Sequence, residues 1–260
     1  MTLNSKKEEY LIYKLADNMK NCIKIDADLF RKLDVKRGLR NEDGTGVLVG
    51  LTNIGNVVGY ERTENGLKPI EGKLYFRGYE ISDLVNGFIQ QNRFGFEEIA
   101  YLLLSGGLPD AEELEQFRHL LVGNMPLMSK TMLNIVELEG TDIMNILARS
   151  VLELYTYDNT PDDISRENLM RQSVELISKF PTIIAYAYNM LRHKTFGRSL
   201  HIRHPKENFS LAENFLYMLL GNNYTPLDAR TLDLLLILQA EHGGGNNSTF
   251  TCRVLSSADT

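Results

Sequence analysis

The chain is poor in cysteine, with two in 260 residues, Cys22 and Cys252, far apart in sequence. They cannot form a metal cluster by themselves, and reduced thiols are the expectation for a cytosolic protein. No run reaches the roughly 18 apolar residues needed to cross a bilayer. The opening stretch, Met1 to Glu9, has no apolar segment of the kind a secretion signal needs, and it turns acidic too early for a transit peptide. A cytoplasmic location is the expectation. The nucleotide motifs G-x-x-x-x-G-K-S/T and G-x-G-x-x-G are missing, as is the zinc motif H-E-x-x-H. Tryptophan is absent as well, which excludes nothing. The formal net charge of −6 argues against nucleic acid as a partner. No metal site is expected.

At 43% hydrophobic residues there is ample material for a core. Length allows one large domain or two smaller ones. Residues 5–20 read as an amphipathic helix, with Tyr10, Leu11, Lys14 and Leu15 at helical spacing. Asp26 or Asp28 can cap a short helix through Leu33. Between 46 and 77 the character changes. Short β-prone runs (46–52, 56–61 and 73–77) are separated by turn residues, which predicts two or three hairpin strands. The rest reads as helix, over 80–87, 95–105, 110–123, 129–138, 142–156, 164–193, 210–221, 226–242 and 247–257. Pro109 is placed in the first turn of its helix, and Pro181 is expected to kink or divide the 164–193 segment. Residues 195–209 read as an irregular connection. Strands and helices do not alternate, so doubly wound nucleotide folds are excluded and the class is mainly α.

The densest chemistry lies in Leu234-Leu235-Leu236-Ile237-Leu238-Gln239-Ala240-Glu241-His242-Gly243-Gly244-Gly245-Asn246-Asn247-Ser248-Thr249. Five consecutive apolar residues leave no polar face, so the helix is expected to be buried all round. It then ends in an amide, a carboxylate and an imidazole. Three glycines allow a tight turn and a close ligand approach. Asn246, Ser248 and Thr249 can cap a following helix, whose free N–H groups favour an anion. The physical reading is a pocket for a small carboxylate. The tripeptide after His242 also suggests an esterase oxyanion loop. That reading needs a preceding strand and a G-x-S-x-G elbow, and the chain has neither. His119, His193, His201 and His204 read as surface residues.

These residues resemble the citrate synthase family in its "AEHGGGNNSTF" form. Further segments carry the resemblance in family order: Glu71 to Leu84 ("RGY.I.DL"), Phe96 to Leu104 followed by Gly107-Leu108-Pro109, Phe180 to Tyr186, and Ala212 to Leu219. The resemblance implies a mainly α, citrate synthase-like large helical domain with a small N-terminal β element. Residues 1–34 would form a leading helical segment and 35–260 the N-terminal part of the large domain. It implies condensation of acetyl-CoA, as co-substrate, with oxaloacetate to citrate. Propionyl-CoA giving 2-methylcitrate and a non-catalytic dimeric helical domain remain open alternatives.

By the same resemblance, His242 holds oxaloacetate. Gln239 stands where the family usually has a second histidine; an amide can still hydrogen-bond but cannot carry positive charge. Asn246 reads either as a plain N-cap or as a cap whose helix end also faces ligand. Arg40 reads either as a solvated loop arginine or, by the resemblance, as the arginine near this point that in some members reaches the coenzyme A phosphates. The thioester-polarising histidine, the base aspartate and the carboxylate-clamping arginines have no counterpart within 1–260. No catalytic residue is therefore assigned, and the chain alone is expected to be inactive. The family pairs through large-domain helices, and 94–105 and 142–156 lack a polar face, so a homodimer is expected. No covalently held cofactor is expected.

Overall fold

The computed structural model describes residues 13–15, 27–33, 35–36, 38–41, 44–47, 52–64, 66–137, 140, 142–241 and 247–256. It divides into two compact units. One comprises Met1–Leu51 with Gly244–Thr260, the other Thr52–Gly243.

In the first unit, residues 13–15 are helical, and the rest of the expected 5–20 helix lies outside the described residues. Helix α1 spans Ala27–Lys32, with Asp28 in its first turn and Arg31 and Lys32 in its last, each sign complementing the helix dipole. Among the described residues, the β-prone run from 46 contributes an isolated antiparallel bridge, Arg40 with Gly46. Residues 48–51 lie outside the described set.

The second unit opens with strands β1 (Gly55–Thr63), β2 (Gly66–Phe76) and β3 (Tyr79–Glu80) in an antiparallel meander. Register runs from Gly55 opposite Phe76 to Thr63 opposite Gly66, shifting between Val58 and Tyr60. The β2–β3 turn is Arg77-Gly78, both at positive φ (49° and 92°), the twist a two-residue hairpin prefers. Arg77 anchors this turn. Its Nε and Nη2 donate to the Leu103 carbonyl and its Nη1 to Asn53 Oδ1.

Helices follow as α2 (Ile81–Gln90), α3 (Phe96–Ser105), α4 (Ala111–Asn124), α5 (Ser129–Glu137), α6 (Ile143–Tyr157), α7 (Arg166–Phe196), α8 (Leu211–Leu220) and α9 (Pro226–Gln239). Helix α10 (Asn247–Ser256) belongs to the first unit. Side-chain caps explain several of these starts. Asp110/Glu113, Ser210/Glu213 and Thr225/Asp228 form reciprocal capping boxes at α4, α8 and α9. Asp110 is thus the cap of α4, and Pro109 precedes the helix rather than opening it. Pro181 does not divide its segment. Helix α7 continues through it for 31 residues and ends at Gly197, which takes the left-handed conformation.

Helix α7 is the axis of the main core. Ile183, Ala185, Tyr186 and Ala187 pack with Val122, Ile135, Ile146, Leu147, Leu211 and Met218 from α4, α5, α6 and α8. A second cluster joins the sheet to the helices through Phe76, Leu84, Phe88, Ile99, Leu102 and Ile237. Apolar α3 is covered within this chain, with Ile99, Ala100 and Leu102 all buried. Its composition therefore gives no argument for a partner. Helix α6 does leave Met144 and Leu152 exposed.

Candidate functional site

The motif-bearing helix α9 is positioned by one stripe of residues three and four apart. Arg230 Nη2 donates to the Asn92 carbonyl at 2.6 Å. Asp233 Oδ2 accepts from the Gly95 N–H at 2.8 Å, and its Oδ1 from the Phe96 N–H at 3.1 Å. Ile237, 1% exposed, enters the second apolar cluster. Asp233 therefore caps the N-terminus of α3 from a different helix. The same device recurs one step away, where buried Glu97 on α3 accepts from the Leu211 N–H at the start of α8, at 2.8 Å. A carboxylate beside free helix N–H groups is favoured by hydrogen bonding and by the dipole. Gly95 is required at this junction because a Cβ there would lie 2.2–2.6 Å from the Phe88 ring.

Burial works against the Asp233 charge. Desolvation, with the Glu97 carboxylate second among the raising influences, pushes its pKa up to about 6, against the pull of the two N–H groups and Arg230.

The opposite side of α9 is open. Leu235 is 51% and Leu238 40% exposed, so the apolar run is not buried all round. Gln239, the last helical residue, lies about half a helical turn from Ile237 and is exposed. The helix stops here, three residues earlier than expected, with Ala240 as its C-cap. Glu241 then meets the sheet. A Cβ on Gly55, the first residue of β1, would come 2.5 Å from Glu241 Cγ. The β element therefore abuts the polar end of α9.

His242 and Asn246 lie outside the described residues. Arg40 lies in the first unit, exposed, with its Nη1 donating to the Gly44 carbonyl at 3.4 Å. In that same unit Gly38, at φ +60°, sits against the side chain of Asn247, the first residue of α10. Gly38 and the start of α10 are thus neighbours, while Gln239 belongs to the other unit. Ser248 and Thr249 fall within the first turn of α10. The four remaining histidines (His119, His193, His201 and His204) are exposed, as expected. Sequence reasoning passed over Asp233 and Glu97. For Asp233 the available signal was a lone carboxylate inside the otherwise apolar run 232–238, where an acid stays buried only when paired. Among the described residues no group of three or more His, Cys, Asp or Glu could hold a metal ion, and no helix is long and apolar enough to cross a membrane.

A family model described as "Citrate synthase, C-terminal domain" matches residues 42–260. Citrate synthase 2 of Bacillus subtilis is 32% identical over 187 residues, covering 71% of this chain and 47% of that protein. The 2-methylcitrate synthase 2 of Corynebacterium glutamicum is 30% identical over 236 residues, covering 86% and 53%. Among solved structures, the citrate synthase of Pyrobaculum aerophilum superposes with a TM-score of 0.68 at 29% identity, covering 86% of this chain and 54% of that one. The chain spans about half the length of the relatives it matches. With its helical architecture, its sheet seated against the polar end of α9 and a family match over most of its length, this chain belongs to the citrate synthase family.

Proposed function

We propose that this chain provides the oxaloacetate-binding part of a cytoplasmic citrate synthase, an acyltransferase of the tricarboxylic acid cycle that works as a homodimer. The observation that carries the reading is the fixing of α9 by Arg230, Asp233 and Ile237 immediately ahead of Glu241-His242. A helix pinned along one face delivers its last residues to a defined place, which positioning catalysis requires. His242 hydrogen-bonds oxaloacetate and polarises its ketone, with Gln239 and Asn246 as the further substrate-binding candidates. Arg40 reaches toward the coenzyme A phosphates. The acyl-CoA is enolised by a carboxylate while a neutral histidine steadies the enolate oxygen. The enol attacks the ketone, and hydrolysis of the thioester releases citrate and CoA. Those last-named groups have no counterpart in residues 1–260, so the chain alone binds oxaloacetate weakly and does not turn over.

Propionyl-CoA is the second acyl donor to consider, because a relative named 2-methylcitrate synthase matches 86% of the chain. The test is thiol release after mixing oxaloacetate with acetyl-CoA or propionyl-CoA. No free CoA is expected from the 260-residue chain. Turnover would mean that other residues do the chemistry.

A further inference from the structure

Two cavities flank helix α7, and they treat charge in opposite ways. In the larger, about 610 Å³, the charges pair with one another. Arg171 binds Asp158 and Glu175, and Lys179 binds Glu175. The second, about 490 Å³, lies at the C-terminal end of α7 and is lined by Arg192, Arg198, His201 and Arg203, with no carboxylate. Its sequence context is equally one-sided. Residues 192–206 hold five Lys or Arg and three His with no Asp or Glu, in a chain of net charge −6. Among the described residues no acid pairs with Arg192, Arg198 or Arg203.

Arg198, His201 and Arg203 sit on a loop held from below, and Arg192 on the last turns of α7. The Tyr186 hydroxyl donates to the Arg203 carbonyl at 3.1 Å. Asn189 Nδ2, buried, donates to the carbonyls of His201 and Met218 at 3.2 and 3.1 Å. Asn214 clamps the loop's far end, its Oδ1 accepting from the Lys206 N–H and its Nδ2 donating to the Lys206 carbonyl. Arg203 is fixed as well. Its Nη1 donates to the Met218 carbonyl at 3.3 Å, and its guanidinium lies so close over Gly221 that a Cβ there would come within 3.1–3.2 Å. Unpaired guanidinium groups converging on one concavity, on a backbone that need not rearrange, form a preorganised site for an oxyanion.

We infer that this cavity binds a phosphate-bearing anion with three or more negative charges, such as a polyphosphate or a polyphosphate ester. Three arginines facing one space match a multiply charged ligand better than a single carboxylate. The volume exceeds what one phosphate fills, and Leu219 and Leu220 leave an apolar wall for an organic substituent. The site belongs to the Thr52–Gly243 unit alone and does not depend on the proposed condensation, so binding succeeds or fails apart from any turnover.

The experiment is calorimetric titration of the 260-residue chain with inorganic triphosphate, orthophosphate and citrate in moderate salt. Saturable triphosphate binding is expected, about tenfold or more tighter than either of the others. The double variant Arg192→Ala/Arg198→Ala should weaken it by about tenfold or more. A charge-matched control, Lys68→Ala/Arg118→Ala, should leave it unchanged. Equal binding by the arginine variant and the parent would overturn the assignment, as would equal loss in the control, citrate binding as tightly as triphosphate, or no saturable binding. Circular dichroism on both double variants confirms that the helices are intact. If the arginine variant is unfolded, Arg198→Gln alone serves in its place, with weaker triphosphate binding expected and parent-like binding counting against the site.

Discussion

The two sides of α9 follow different rules. One carries Arg230, Asp233 and Ile237, each with a partner in the chain. The other carries Leu235, Leu238 and Gln239, all exposed. Both sides contain leucine or isoleucine, so hydrophobicity does not separate them. Partners do, because the docked side is where polar groups meet helix N-termini and the apolar residue meets a packed cluster. The docked side fixes the helix, and the open side carries Gln239, three residues before His242.

The sharpest way to break this contrast is to truncate each side in turn and measure denaturant stability. Ile237→Ala should cost about 3 kcal/mol, from lost burial and an unfilled cavity. Asp233→Ala should cost about 2 kcal/mol or more, because the Gly95 and Phe96 N–H groups lose their acceptor where water cannot readily replace it. Leu235→Ala should change stability by less than about 1 kcal/mol. Comparable losses on both sides would remove the distinction.

A pH series sharpens the polar half. Asp233 has a folded-state pKa of about 6 against an ordinary 3.8. The folded state therefore disfavours its ionised form. The associated stability is fully present below about pH 4 and is lost as pH rises through about 6. The change is on the order of 2–3 kcal/mol, and Asp233→Asn should flatten it, as read from urea midpoints between pH 4 and 7. An unchanged slope in the variant would move the titration to another group.

Much of this was legible in the sequence, for physical reasons. The helix starts expected at 210 and 226 fall within one residue of those observed, where the capping boxes Ser210/Glu213 and Thr225/Asp228 fix them. The hairpin was readable from β-prone runs between turn residues; of the strand expected at 46–52, the described residues show a bridge at Gly46, and 48–51 lie outside them. An apolar run does not tell which of its members have partners, so Leu235 and Leu238 were misplaced. Nor does local sequence show that Asp233 caps a helix 138 residues away in the chain. Pro181 does not divide α7, because the packed surroundings hold the helix together despite one missing N–H. Of the candidate site, Gln239 and Arg40 are placed, while His242 and Asn246 lie outside the described residues.

In the proposed function, the end of α9 meets oxaloacetate through His242. Titration of the 260-residue chain with oxaloacetate, followed by amide NMR shifts, tests it most directly. Saturable shifts confined to the residues around 239–250 are expected, at about millimolar affinity, and they should be lost in His242→Ala. Identical titrations of parent and variant, or shifts centred elsewhere, would contradict it.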